Sequence, residues 1–189
     1  MRIDQWEARY RSGERTETDL LAAPTPLLIE TAEKHAPGTA LDVACGTGRN
    51  AIWLAERGWQ VTAVDAARPA IEILNHRAQE RGLPIVTRVA DLEGDDFRIE
   101  PASWDLISKC FYLQRSLIPA VCAGVRPGGI AIVIVHIVEN GEEVAATRAA
   151  PGELRGFFGD DWEILHYFEG KGNDVAHKRA SAEIVARRR

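Results

Sequence analysis

The sequence predicts an α/β fold in which a doubly wound, mostly parallel β-sheet ends in an antiparallel C-terminal hairpin. Short apolar segments alternate with helical segments through the middle of the chain, as in right-handed βαβ units whose sheet is covered on both faces. Near the C-terminus, two strand-like segments lie too close together for a parallel return, which needs a crossover of about a dozen residues or more.

The spacing of apolar residues and the positions of Gly and Pro predict the helices and strands in chain order. Before the sheet, two helices at Arg2–Arg11 and Pro24–His35 belong to no crossover, and we expect them to cover its ligand edge. Strands are expected at Thr39–Val43, Val61–Val64, Ile85–Val89, Trp104–Ser108, Ile130–Ile137, Trp162–Phe168 and Val175–Ala186. Helices are expected at Asn50–Arg57 with Gly58 as the stop, from Pro69 to Gly82, and at Leu117–Val125 before a turn at Arg126–Gly129. The predicted organisation is an N-terminal helical cap segment, residues 1–36, and a main domain, residues 37–189.

Length and composition are those of a globular domain. Of 189 residues, 46% are hydrophobic and 27% are charged, so a wholly disordered chain is excluded. The longest apolar run, 130–138, is shorter than the roughly 20 residues of a membrane span, and the N-terminus lacks the apolar stretch of a secretory signal. Three cysteines without CxxC spacing predict no disulfide framework and no metal site, and they favour a cytoplasmic location.

The formal net charge of −5 argues against a nucleic acid partner, whose phosphates are neutralised by Lys and Arg. Acids cluster at 91–100 and bases at 171–189, which we interpret as a solvated loop and tail. A small RNA or an acidic substrate held by the tail is the alternative. We expect a small-molecule partner, no membrane, and a monomer or homodimer.

The most informative segment is the glycine-rich turn within Leu41–Ala51. Gly46 and Gly48 allow a tight turn and a close approach of the backbone to a ligand. The helix start at Asn50 presents N–H groups and a positive dipole end to a carboxylate or phosphate. Asp65 closes the next strand, where a carboxylate can accept hydrogen bonds from ribose hydroxyls. These features predict a nucleoside cofactor.

A nicotinamide cofactor is one alternative, because Gly46–Ala51 satisfies G-x-G-x-x-G/A. The chain is short for a dinucleotide fold with its own catalytic apparatus. The one Y-x-x-x-K match, Tyr167–Lys171, runs off a predicted strand, whereas a catalytic Tyr–Lys pair would lie on a helix. We interpret that match as chance.

Several motifs in order resemble the class I S-adenosylmethionine-dependent methyltransferases, from about Thr39 to Val185. The family's first strand carries D-x-x-x-G-x-G, as at Asp42–Gly48, and its second strand ends in an acid, as at Asp65. A D-L/A pair follows the third strand, as at Asp91–Leu92. The family motifs W/Y-D-L-I and R-P-G-G occur at Trp104–Ile107 and Arg126–Gly129. The resemblance implies a Rossmann-like seven-stranded sheet. Ala44 replaces the usual first glycine of the turn.

Within that family, the sequence is similar to the small tellurite-resistance and thiopurine-type branch. The motifs C-G-x-G-R-N, W-L-A-x-x-G and W-x-x-R-Y occur at Cys45–Asn50, Trp53–Gly58 and Trp6–Tyr10.

The resemblance implies roles for individual residues toward S-adenosylmethionine. Asp42 and the backbone of the glycine turn hold the methionine amine and carboxylate, Asp65 takes the ribose hydroxyls, and Asp91 accepts from the adenine amine. The implied cofactor-binding set is Asp42, Ala44, Cys45, Gly46, Gly48, Arg49, Asn50, Asp65, Ala66, Asp91, Leu92 and Ser108. Ser108 and Lys109, just past the fourth strand, would face the sulfonium and the acceptor, although Lys109 as a plain surface residue is the alternative.

No catalytic residue is assigned, because in-line methyl transfer depends mainly on alignment of the reactants. A thiolate or reduced chalcogen needs no base, whereas a hydroxyl or amine needs one or must arrive deprotonated. Substrate-side candidates are Lys109, Tyr112, Tyr10 and His136. His136 is the only histidine that the sequence places near the site, and core packing is the alternative for it and for the aromatic residues.

The predicted function is methyl transfer from S-adenosylmethionine to a small molecule, with S-adenosylhomocysteine as product. The alternatives are an NAD(P)-dependent oxidoreductase and a cofactor-binding protein without turnover.

Overall fold

The computed structural model describes residues 3–13, 23–94, 97–139 and 142–189. The predicted helix start at Arg2 and residues 95–96 of the acidic cluster lie outside the described residues. The chain divides into two compact units, residues 1–97 and residues 98–189. Within the described residues, no helix has both the length and the apolar character needed to cross a membrane.

The strands of the described residues form one seven-stranded sheet. Their bounds are β1 Thr39–Val43, β2 Gln60–Asp65, β3 Val86–Val89, β4 Trp104–Cys110, β5 Val125–His136, β6 Trp162–Gly170 and β7 Ser181–Arg188. The strand order is β3-β2-β1-β4-β5-β7-β6. Neighbours are parallel from β1 to β3 and between β4 and β5, whereas β7 is antiparallel to both β5 and β6. The predicted α/β class, with its antiparallel C-terminal hairpin, is confirmed.

The helices are α1 Ile3–Arg11, α2 Pro26–Ala32, α3 Arg49–Glu56, α4 Arg68–Glu80 and α5 Ile118–Gly124. In the first unit, α3 and α4 end just before Gly58 and Gly82, whose φ angles are 84° and 64°. Glycine reaches this left-handed region without a Cβ clash, so both predicted stops are confirmed. Helix α1 packs through Tyr10 against Ala67 and Ala70 at the start of α4.

In the second unit, several predicted boundaries are wrong. Helix α5 begins at Ile118 and is preceded by a 3-10 turn, Arg115–Leu117, because Pro119 has no N–H to donate to the preceding turn. Residues 126–129 belong to β5, where they form a bulge between the pairs Trp104–Val125 and Leu106–Ile130. The bulge is braced by an ion pair of 3.0 Å between Arg126 and Asp105.

The last strand starts at Ser181 and not at Val175 as predicted. Residues 174–177 form a turn in which the Asp174 carboxylate accepts the Ala176 N–H at 3.0 Å. The Asp174 carbonyl accepts the His177 N–H, also at 3.0 Å. An Asp side chain that caps its own backbone in this way competes with strand formation.

Candidate functional site

The turn after β1 has a left-handed backbone at three positions. The φ angles are 56° at Ala44, 55° at Gly46 and 82° at Gly48. A Cβ built on Gly48 would lie 2.2 Å from a methyl carbon of Leu74, so a larger residue would require the Leu74 side chain to shift. Ala44 adopts the conformation that a glycine favours, and it does so at a cost of roughly 1 kcal/mol.

Asp65, at the carboxyl end of β2, organises this turn. Its Oδ2 accepts the Gly46 N–H at 2.8 Å, and its Oδ1 accepts the Ala67 N–H at 2.8 Å. The carboxylate therefore joins the glycine turn to the residue that precedes α4. Asp65 and the adjacent Ala66 are both half-buried. Each carboxylate oxygen can accept more than one hydrogen bond.

Asp42 and Cys45 lie in the same part of the first unit. Asp42 is 2% exposed. Burial, together with the carboxylates of Asp65 and Asp42, raises the pKa of the Cys45 thiol well above its ordinary value. The thiol therefore stays protonated at neutral pH, which excludes a thiolate nucleophile at this position.

Arg49 and Asn50, predicted to bind the cofactor, use their side chains to hold the segment before α2. The Asn50 Oδ1 accepts the Thr25 N–H at 2.9 Å. Arg49 donates to the Ala23 carbonyl at 3.0 Å and to the Thr25 Oγ1 at 3.1 Å. What α3 can present to a ligand at this end is its backbone N–H groups. No local sequence signal indicates this contact, because Thr25 lies far from Asn50 in the chain.

The glycine turn has a second support that the sequence did not indicate. Arg77, in the last turn of α4, donates to the Thr47 carbonyl at 2.7 Å. Thr47 itself is buried. Because a carbonyl held from outside the turn cannot rotate freely, Arg77 keeps the turn in one conformation.

Asp91 and Leu92 follow β3, as predicted. The Asp91 Oδ1 accepts the Glu93 N–H at 2.9 Å, which is the hydrogen bond of an Asx turn. Asp91 is half-buried and Leu92 is 7% exposed. The first unit thus carries the carboxylates of Asp42 within β1, Asp65 as the last residue of β2, and Asp91 two residues past the end of β3.

In the second unit, the structure corrects the predicted position of Ser108 and Lys109. Both lie inside β4, not past its end, and both are 0% exposed. The Lys109 ammonium donates to the Tyr112 carbonyl and lies 5.3 Å from the centroid of the Tyr112 ring. Burial lowers the pKa of Lys109 to about 7. Its interpretation as a plain surface lysine is therefore wrong.

Three rings of the second unit form a cluster, which we call the aromatic–imidazole cluster: Phe111, His136 and His177. The Phe111 and His177 rings stack with centroids 3.4 Å apart and planes at 6°. The His136 ring lies 5.3 Å from each of the other two. His177 was missed by sequence reasoning, which singled out His136 alone. No pattern indicates it, because its partners come from other strands.

Two further tyrosines were singled out from the sequence. Tyr10 is 7% exposed and packs within the first unit, as core packing requires. Tyr167 lies in β6 and donates to the Glu169 carboxylate at 2.5 Å. Because Tyr167 is on a strand, the Y-x-x-x-K match lacks the helical setting of a catalytic pair.

In the part of the chain that the structure describes, no three His, Cys, Asp or Glu side chains are arranged to hold a metal ion. None of Cys45, Cys110 and Cys122 is in a disulfide bond. Burial raises the pKa of Cys122 to about 11, which leaves that thiol protonated.

The comparisons with known proteins agree with this fold. A probable S-adenosyl-L-methionine-dependent methyltransferase TehB from Haemophilus influenzae is 24% identical over 155 residues, which cover 77% of this chain and 53% of the relative. The chain thus spans about half the length of the curated relatives it matches.

Two solved structures share the architecture. TehB from Haemophilus influenzae superposes with a TM-score of 0.73 at 24% identity, covering 87% of this chain and 62% of the other. The 1,6-didemethyltoxoflavin-N1-methyltransferase of Burkholderia thailandensis, with bound 1,6-didemethyltoxoflavin and S-adenosylhomocysteine, gives a TM-score of 0.73 at 20% identity. It covers 98% of this chain and 86% of that one.

A family model described as tellurite resistance protein TehB matches residues 21–184. This match includes the glycine turn, the strand-end carboxylates and most of the C-terminal hairpin. The chain therefore belongs to the TehB family, the tellurite-resistance branch of the class I S-adenosylmethionine-dependent methyltransferases.

Proposed function

We propose that this protein transfers a methyl group from S-adenosylmethionine to a small-molecule acceptor. The observation that carries the proposal is the first unit's glycine turn, whose left-handed backbone is held by the Asp65 carboxylate at 2.8 Å from the Gly46 N–H. Membership of the TehB family supports the same reaction class.

The residues present fit the cofactor by the chemistry of their donors and acceptors. Asp42 would take the methionine ammonium, and the backbone N–H groups of the glycine turn and of the start of α3 would take its carboxylate. Asp65 would accept the ribose hydroxyls, and Asp91 the adenine amine. Arg77 and Asn50 do not need to touch the cofactor. They fix the turn and the segment before α2.

When bound, the cofactor supplies a methyl group on a positively charged sulfur: a lone pair of the acceptor forms the new bond to the methyl carbon, and the sulfur keeps the electron pair of the broken C–S bond. The chain's own contribution is orientation. A preformed turn holds one reactant in a single pose, and such alignment can supply most of the acceleration in a displacement of this kind. An acceptor that carries a proton must release it to water or to a neighbouring base.

The proposed acceptor is a small molecule. The connection between β5 and β6, described at 137–139 and 142–161, contains one short 3-10 helix, Arg155–Phe157. A connection of this size favours a small acceptor. The structurally similar 1,6-didemethyltoxoflavin-N1-methyltransferase was solved with bound 1,6-didemethyltoxoflavin. The family's tellurite-resistance description makes chalcogen oxyanions a second group of acceptors to try. We further propose a cytoplasmic location, where the free thiols stay reduced.

Thermal denaturation with added ligands tests the cofactor. S-adenosylhomocysteine should stabilise the protein by about 2.7 kcal/mol at a hundredfold excess over its Kd, and NADPH should not. Stabilisation by NADPH alone would favour the oxidoreductase and overturn the proposal.

Turnover is tested with labelled S-adenosylmethionine and a panel of thiols, phenols, heteroaromatic hydroxyls, amines and tellurite. Label transfer to at least one small acceptor is expected. A protein that binds S-adenosylhomocysteine yet labels none of them would instead be a cofactor-binding protein without turnover.

A further inference from the structure

We propose that the aromatic–imidazole cluster of Phe111, His136 and His177 is the acceptor-binding face and that it takes a planar heteroaromatic molecule. This inference rests on the proposed methyltransferase function and deepens it by naming the acceptor class. It concerns residues of the second unit only.

The position of the cluster follows from strand register. Phe111 comes directly after β4, and His136 is the last residue of β5. Because β4 and β5 are parallel and Cys110 pairs with Ile134, both residues reach the same edge of the sheet. Ser181, the first residue of β7, pairs with His136, so the segment that carries His177 arrives at that edge as well. In open α/β sheets, ligands bind beyond the carboxyl ends of the parallel strands.

The ring geometry favours a flat ligand. Phe111 and His177 stack face to face at 3.4 Å with only 6° between their planes, and His136 is tilted by 40° and 46° to them. All three residues are half-buried and none is fully enclosed by the protein. A planar acceptor extends the existing pair into a stack of three rings, where aromatic contacts are favourable. Imidazole nitrogens can donate to or accept from heteroatoms at the edge of the acceptor.

Backbone strain distinguishes this cluster from ordinary packing. Phe111 has a φ of 60°, a conformation that bulky residues rarely adopt, and such outliers concentrate at functional sites. The strained residue is held by its N–H, which donates to the Ile134 carbonyl at 2.7 Å. On its other side, Lys109 holds the Tyr112 carbonyl. Lys109 is thus a positioning residue, since it fixes the turn that presents the Phe111 ring.

The segment that carries His177 is also held in place. The Asp174 side chain and carbonyl accept the backbone N–H groups of Ala176 and His177, both at 3.0 Å. Asp174 itself is 7% exposed. The stack is therefore formed before any ligand arrives, which reduces the entropy lost on binding.

Calorimetry on the protein saturated with S-adenosylhomocysteine tests the proposal. The probe is 4-hydroxyquinoline, and the control is decahydronaphthalen-1-ol, a saturated bicyclic alcohol of similar size that is uncharged and not planar. Wild type should bind the planar probe at least tenfold more tightly than the saturated one. H177A should lose at least tenfold in affinity for 4-hydroxyquinoline, whereas H177F, which keeps a flat ring, should lose less. H166A, which removes another half-buried histidine of the same unit outside the cluster, is the matched control and should bind like wild type.

The outcomes separate this inference from the proposed function. If wild type binds S-adenosylhomocysteine but binds both probes equally, the acceptor face is refuted while the methyltransferase stands. Equal affinity of H177A and wild type for 4-hydroxyquinoline refutes it too. If H177A no longer folds, the affinity of H177F for 4-hydroxyquinoline is the test. A tenfold or greater loss in H177F, which keeps a flat ring, would mean that stacking is not the basis of binding and would refute the proposal. Absence of S-adenosylhomocysteine binding by wild type would instead overturn the proposed function.

Discussion

Replacing Lys109 with Met should change how the stability of the protein depends on pH. Lys109 is fully buried, and the structure's described residues place no carboxylate within ion-pair distance of its ammonium. Burial lowers its pKa from 10.5 to about 7. Between these two values the unfolded chain holds the proton and the folded chain does not. The free energy of unfolding of wild type therefore rises with pH across this window and is level below it.

The expected change in the free energy of unfolding follows from the size of the Lys109 pKa shift. Each unit of pKa difference corresponds to about 1.4 kcal/mol, so wild type should gain roughly 3–4 kcal/mol relative to K109M between pH 7 and pH 10. Met has a similar length and no charge, so its own contribution is independent of pH. It removes the hydrogen bond from Lys109 to the Tyr112 carbonyl at every pH. This loss lowers the free energy of unfolding of K109M by about 1–3 kcal/mol across the whole pH range.

Urea denaturation followed by circular dichroism at pH 7, 8, 9 and 10, at constant ionic strength, measures both curves. The control is K171M, which removes an exposed lysine of the same unit and should run parallel to wild type. If the difference between wild type and K109M is the same at all four pH values, the folded protein keeps Lys109 charged, and the reasoning is refuted.

Three other substitutions test the first unit. D65N should weaken S-adenosylhomocysteine binding by about 1–3 kcal/mol through loss of charged hydrogen bonds; E72Q on the exposed face of α4 is the matched control, and equal affinities in calorimetry would remove Asp65 from the site. G48A should lower the free energy of unfolding by at least about 1–2 kcal/mol, because the φ of 82° and a Cβ 2.2 Å from Leu74 are both unfavourable; an unchanged denaturation midpoint would contradict this geometry. A44G should raise stability by up to about 1 kcal/mol, since the relief at a φ of 56° exceeds the added unfolded-state entropy; a less stable variant in the same denaturation assay would show that Ala44 is not strained.

The order of the elements was predictable because it depends on neighbours in the chain. The signals that predicted it are local: the spacing of apolar residues, the glycines at 58 and 82 that end helices, and the carboxylates at the ends of strands. They sufficed for the mostly parallel sheet, the C-terminal hairpin and the glycine turn with Asp65. Errors in the boundaries had local causes that outweighed the pattern, such as Pro119 in the first turn of α5 and the Asp174 turn before β7.

What no local pattern determined is which side chains meet. Lys109 was expected just past a strand, facing the acceptor or lying on the surface, but β4 continues past it and it is fully buried. Asn50 looked like a ligand contact, but its amide holds Thr25. His177 acquired a role only when the hairpin brought it onto Phe111. Periodicity specifies which face of an element is buried, whereas contacts between distant residues depend on strand register and on the packing of whole elements, and these exist only in the folded chain.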